Sequence, residues 1–328
     1  MKAALKYFFI WLLLTVIGGV LFFVISTIVC GIVGYEISDP SDLISNPWVL
    51  SSVMLGIDLL ILLVFWQRKY TRFGFSYGFT YGERFSTKKL CLWAIVGAIG
   101  CLLLDVLVQE YVPIPVDPDI EKFLGPLMGN PLGLLTVCLI GPLPEEAIFR
   151  GAIERRLLEK HWNHWYAIVI SAIFFAVAHF NYAQGATAIV IGCFMGWIYY
   201  RTRSIWPGFL IHAFNNTAAC VAAYSYPDSM TSEDLGVPLS QGIPLIVLSL
   251  ILIAIAAHFI GKMTDERIPI PVPTNEVLPP PLPAGYALPD QNVEVGTPIE
   301  GAVLGNPLPE ADEALPTEAS DNTLPPED

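Results

Sequence analysis

Three short stretches of an otherwise apolar chain hold the side chains that could do chemistry. The first is Gly141-Pro142-Leu143-Pro144-Glu145-Glu146-Ala147-Ile148-Phe149-Arg150, the second runs from Phe175 to His179, and the third is His212-Ala213-Phe214-Asn215-Asn216. Carboxylates, imidazoles and amides are the groups of acid–base chemistry, and ionisable side chains inside hydrocarbon mark function by default because they are costly to keep there. Proline is tolerated as the first residue of a helix, so Pro142 and Pro144 are expected to break an incoming helix and start a new one. Glu145 and Glu146 then fall in its first turn, where the helix dipole favours negative charge. Glu146 and Arg150 are four apart and can pair on one face. Glu145 points about 100° away and has no cation at helical spacing, so it is the carboxylate left for reaction. Arg150 does not give up its proton and is read as a charge-compensating support. Taken alone, the stretch is equally well described as two acids near a membrane boundary balanced by Arg150.

The other two stretches weigh against that plainer description. His212 and Asn216 are an i, i+4 pair and share a helix face, as do Phe175 and His179. Depth allows the three to meet. If Lys160 and Trp162 close a helical hairpin, Glu145 comes opposite residue 177, within a turn of His179. His212 lies ~13 Å past Arg203 and Glu145 ~8 Å inside Arg150 at 1.5 Å per residue, which agree to about one turn. Asp58, Asp105 and His258 also sit in apolar runs, without such company.

The elements that must position these groups are membrane helices. Of 328 residues 54% are apolar and 14% charged, with a mean hydropathy of +0.57, against about 25% charged in a soluble domain. A span needs ~20 mostly apolar residues, and eight candidates appear, at about 7–33, 48–66, 91–110, 131–150, 163–180, 184–200, 204–225 and 241–261. The first is longer than a signal-peptide core and is read as a true span. The basic loops alternate with acidic ones along the whole series, which puts both termini in the cytoplasm, with the plasma membrane as the expected location. Gly97 with Ala94 and Ala98, and Gly192 with Gly196, would let helices approach closely. Six cysteines fall in or beside apolar runs at 30, 91, 101, 138, 193 and 220, without a metal-binding spacing, and are expected to be small buried hydrophobes rather than disulfides.

The net charge of −13 belongs to a tail. Residues 263–328 hold 13 acids, one base and 14 of the 27 prolines, whereas the rest of the chain has 17 acids and 16 bases. With no apolar period to bury, that segment is expected to be disordered. No basic surface exists for nucleic acid. The predicted architecture is therefore all-α, about eight transmembrane helices around a polar catalytic cavity, in four parts: helices and a cytoplasmic loop over 1–130, a core over 131–225, a last span over 226–262 and the acidic Pro-rich tail over 263–328.

At its three stretches the sequence resembles the CPBP family of CAAX proteases and bacteriocin-processing enzymes, which are intramembrane proteases that include the type II CAAX prenyl endopeptidases. The family pattern of E-E-x-x-x-R, then F-x-x-x-H, then H-x-x-x-N is met in order by Glu145-Glu146…Arg150, Phe175…His179 and His212…Asn216, and covers roughly residues 131–220. The resemblance implies a hydrolase acting on a membrane-associated protein or peptide within the bilayer. It implies that Glu145 activates a water shared with His179, that His212 and Asn216 bind the oxyanion, and that Glu146, Arg150 and Phe175 complete the set. These residue types suit amide hydrolysis, which needs a base for water and donors for the tetrahedral oxyanion. The family is commonly labelled metalloprotease, and His179 and His212 with a Glu could hold a divalent metal such as zinc. The signature H-E-x-x-H is absent, and a metal-free route uses the same residues. An ion-coupled transporter through Asp58, Asp105, Glu145 and the histidines, or a non-catalytic adaptor using the acidic tail, are the alternative readings; no inverted repeat supports the first.

Overall fold

The computed structural model describes residues 1–34, 45–71, 87–112, 119–225 and 236–264, all within the first of two units, Met1–Pro273 and Thr274–Asp328. The expected disorder of the tail beyond residue 264, and most of the loops whose charges set the orientation, lie outside the described residues.

Every regular element among the described residues is helical. We number them α1 (Lys2–Val33), α2 (Pro47–Gln67), α3 (Thr87–Tyr111), α4 (Asp119–Met128), α5 (Pro131–Glu159), α6 (His164–Ala178), α7 (Tyr182–Thr202), α8 (Trp206–Ser225) and α9 (Leu239–Met263). Each of the eight predicted spans is a helix. Length and composition single out α1, α2, α3, α5 and α9 as able to cross a membrane; α6 is apolar but shorter, and α7 and α8 carry more polar residues. Helix α4 was not foreseen, because its sequence has two acids, a lysine and an internal Pro126 where a loop was expected.

Asparagine starts four of these helices. Asn46, Asn130, Asn163 and Asn181 each accept a backbone N–H from the first turn of α2, α5, α6 and α7, which satisfies donors that have no partner inside the helix. Asn130 also donates from Nδ2 to Ser51 Oγ at 2.9 Å and to Pro47 O at 3.1 Å, and so ties the start of α5 to the start of α2. Helices α1 and α2 pack together, as do α3 and α9, and α6 and α7. The outer faces carry Leu13, Ile17 and Val20 on α1 and Leu250 and Ile251 on α9, apolar surface suited to lipid.

Helix α5 is the irregular element. It was expected to break at Pro142; instead it continues through a π-helical stretch at Thr136–Ile140, one turn residue at Gly141, an α segment at Pro142–Ile148 and a second π stretch at Phe149–Glu154. A wide turn misaligns some carbonyls from their usual donors. Side chains from other elements donate to carbonyls beside the second stretch: Thr71 Oγ1 donates to Ala147 O at 2.6 Å and Ser171 Oγ to Phe149 O at 2.7 Å. Irregular backbone at membrane depth needs such partners.

Candidate active site

The two adjacent glutamates have different surroundings. Glu146 is fully buried, and Arg150, also fully buried, donates from Nη1 to Glu146 Oε1 at 2.6 Å and from Nη2 to Gly192 O at 3.2 Å. Glu145 turns away from the arginine and is one-third exposed; its Oε2 has no hydrogen-bond donor among the described residues and faces His212 Nε2 at 3.8 Å. His212 Nδ1 lies 3.3 Å from Glu146 Oε1, off the line of a good hydrogen bond. One imidazole from α8 thus stands between both carboxylates of α5.

Phe175 gathers the other groups. Its ring meets His179 edge-on at 4.8 Å and His212 edge-on at 5.3 Å, and the Arg150 guanidinium lies 4.5 Å from its centre. His179 caps the end of α6, where Phe180 takes a left-handed conformation (φ 50°) and the chain turns. His179 Nδ1 is 2.8 Å from Phe175 O. A carbonyl can only accept, so Nδ1 carries the proton, and Nε2 is left with its lone pair.

Asn216 is fixed by the first π stretch. In that register Gly141 N donates to Thr136 O at 2.8 Å, so Val137 O loses its usual i+4 donor. The next residue along is Pro142, which has no N–H. Asn216 Nδ2 donates to Val137 O at 2.9 Å instead. One amide hydrogen of Asn216 is thereby held, and the other remains.

Residues 128–218 match the family described as "Type II CAAX prenyl endopeptidase Rce1-like". Over that stretch the chain is similar to the CPBP family. It is 28% identical over 141 residues to a Bacillus subtilis (strain 168) protein named "Putative membrane peptidase YdiL", covering 42% of this chain and 57% of that one. An Escherichia coli "Uncharacterized 24.3 kDa protein" is 28% identical over 92 residues, 27% of this chain and 42% of that one. The chain thus spans about half the length of the curated relatives it matches. No solved structure matches it.

Within the matched stretch, glycines make room for buried charged side chains. A side-chain carbon on Gly208 would sit 2.6 Å from Glu146 Oε2, one on Gly192 3.3 Å from Arg150 Nη2, and one on Gly196 2.8 Å from Glu154 Oε2. Gly192 and Gly196, expected to serve close helix packing, therefore also admit a guanidinium and a carboxylate. Glu154 is fully buried on α5 and went unnoticed in the sequence, although it is four residues beyond Arg150 just as Arg150 is four beyond Glu146.

The expectation that Asp58 and Asp105 stand without company is corrected. Asp58 Oδ2 lies 3.4 Å from where a side-chain carbon on Gly141 would be, one turn before Glu145. Asp105 accepts from Thr187 Oγ1, and from Gln109 Nε2 at 3.0 Å, which links α3 to α7. His258 meets only its neighbour Phe259 in ring contact among the described residues. All six cysteines are free; Cys138 and Cys220 bring their sulfurs to 3.6 Å across α5 and α8.

A catalytic zinc takes three protein ligands and keeps a fourth position open. Among the described residues no group of three or more His, Cys, Asp or Glu side chains could hold a metal ion. Glu146 is committed to Arg150, so the residues as placed do not form such a set.

Proposed function

We propose that the protein is an intramembrane endopeptidase that hydrolyses a peptide bond of a membrane-associated protein or peptide, of the C-a-a-X or bacteriocin-processing type. The observation that carries this reading is the division of labour between the glutamates. Glu146 is neutralised by Arg150, while Glu145 has a free oxygen, partial exposure and an imidazole opposite it. An ionised carboxylate within reach of water is a competent general base.

Glu145 takes a proton from water as the water attacks the scissile carbonyl. His179 holds the same water through Nε2, its ring set by the Nδ1 bond to Phe175 O. The developing oxyanion is met by His212 and by the second amide hydrogen of Asn216, donors already fixed before reaction, which is where such donors are most effective. Glu145 then passes its proton to the leaving nitrogen. Glu146, Arg150 and Phe175 keep the histidines in place. No step is routed through a metal. The basic loops expected on one side of the membrane place this chemistry toward the cytoplasmic leaflet.

The test is cleavage of membrane-anchored reporter peptides, with and without a prenylated C-terminus, by purified protein in liposomes. Glu145→Gln, His179→Ala and His212→Ala should abolish cleavage with insertion intact. Full activity in Glu145→Gln sinks the reading.

A further inference from the structure

The turn that leaves α2 bonds to the active-site helix twice, through residues with no part in the proposed chemistry. Helix α2 ends in a Schellman arrangement, in which Lys69 N donates to Trp66 O at 3.1 Å and Tyr70 N to Phe65 O at 3.0 Å. Lys69 takes the left-handed conformation (φ 54°) that such an ending needs and that glycine usually fills. The Tyr70 ring meets Phe65 edge-on at 5.6 Å and Tyr7 of α1 at 5.4 Å. The chain is thus stopped, turned and pinned before it reaches residue 71.

From that anchor two hydrogen bonds reach α5. Thr71 is 8% exposed and donates from Oγ1 to Ala147 O at 2.6 Å. Arg155 donates from Nη2 to Tyr70 O at 2.9 Å. The Arg155 side chain lies back along its own helix. Its backbone N–H is turned to Arg150 O and Ala152 O, and its Nε donates to the intervening Gly151 O at 2.7 Å. Glu159 Oε1 holds its Nη1 at 2.6 Å. Residues 147 and 155 flank the second wide turn, Phe149–Glu154, which carries Arg150. Tyr70 and Thr71, two neighbours in one turn, therefore bridge it. Ala147 directly follows Glu146, the carboxylate that Arg150 holds at 2.6 Å and that lies 3.3 Å from His212.

We propose that Thr71 is a positioning residue of the active site: its hydroxyl, presented by the Schellman turn, fixes the Ala147 carbonyl and with it the place of Glu146 beside His212. Arg155 is the second tie of the same strap. A buried carbonyl that loses its donor takes another where it can. Without the Thr71 hydroxyl the Ala147 carbonyl tilts toward the N–H groups of its own next turn, and the backbone beside Glu146 tilts with it.

This inference rests on the endopeptidase reading. The experiment measures kcat and KM for a membrane-anchored reporter in liposomes, each protein well below its own Tm, for wild type, Glu145→Gln, Thr71→Val, Thr71→Ser and Arg155→Lys. Valine puts a methyl where the hydroxyl was; serine keeps the donor. A displacement of 1 Å costs about 100-fold in rate, so a few tenths of an ångström at Glu146 is worth about fivefold or more. Thr71→Val should lower kcat at least fivefold with KM within twofold, and Thr71→Ser should stay within twofold of wild type. A smaller loss, a loss carried by KM, or a Thr71→Ser protein as slow as Thr71→Val overturns the proposal. If Thr71→Val does not accumulate as monodisperse protein, Arg155→Lys decides. It keeps the charge beside Glu159 but not the fork that joins Gly151 O to Tyr70 O; a fivefold loss of kcat supports the proposal and a smaller one overturns it. If neither variant accumulates, the strap serves folding alone and the proposal is overturned. A fully active Glu145→Gln overturns the endopeptidase reading, and this inference with it. An inactive Glu145→Gln beside a fully active Thr71→Val overturns this inference alone.

Discussion

Replacing Gly208 with alanine perturbs the proposed site through a single methyl group. Gly208 is buried in the first turn of α8, and the new carbon would sit 2.6 Å from Glu146 Oε2, against at least 3.4 Å in ordinary contact. Carboxylate and helix must therefore part by about 0.8 Å. Glu146 has little freedom to yield, since Oε1 is held at 2.6 Å by Arg150 and the side chain is fully buried. The methyl would also meet Met195 Cβ at 3.7 Å, an ordinary contact. Overpacking of this kind costs about 1–3 kcal/mol of stability. A misplacement near 1 Å can cost about 100-fold in rate. Gly208→Ala is expected to fold, with a lowered Tm, and to cleave a membrane-anchored reporter 30- to 100-fold more slowly at unchanged KM, figures on the order of that rule. Gly261→Ala is the control, because nothing lies within 4 Å of its added carbon; it should match wild type. A Gly208→Ala protein with wild-type kcat would refute the argument that Glu146 must stay where it is.

Other outcomes follow from the same geometry. Arg150→Met strands the buried Glu146 carboxylate and should destabilise the protein by about 3–5 kcal/mol, read as a fall in Tm or loss of monodisperse protein; Arg150→Lys should be milder because it keeps the charge. Pro142→Ala restores an N–H that can reach Val137 O and compete with Asn216. Cleavage should fall about tenfold, in the range of one weakened oxyanion donor, and an unchanged rate would argue against the π stretch holding Asn216. Activity should survive exhaustive chelation, since no three-ligand set is present among the described residues; loss on chelation with recovery on adding zinc would overturn the metal-free route.

The helices were legible in the sequence because hydrocarbon thickness demands long apolar runs, and because the residues that carry charge within them stand out. The pairing of Glu146 with Arg150 follows from spacing alone, as the 2.6 Å contact reports. The π stretches were not legible. Thr136–Ile140 and Phe149–Glu154 are ordinary apolar or mixed residues, and nothing in their order announces a wider turn. The proline that leaves Val137 O without a donor was visible, but its effect depends on register. Glu154 could have been found by extending the four-residue spacing one step past Arg150; its neighbours RGAI and RRLLE made it look like part of a solvated helix end. The closeness of Asp58 to Gly141 was not legible because α2 reaches Gly141 only through tertiary packing. Helix α4 was hidden by composition that reads equally well as a loop.

The two wide turns in α5 have a consequence for how its faces are phased. Each takes in more chain per revolution than an α turn, so residues before it are rotated relative to residues after it. The segment starting at Pro131 can address Ser51 through Asn130, while the segment from Pro142 addresses α8, and the segment from Phe149 addresses α7. A regular α-helix of the same sequence would phase these three contacts differently. Excising a single residue from the first wide turn would change the register between Asn130 and Glu145, and so their joint fit to α2 and α8, while leaving the local sequence of Glu145 untouched.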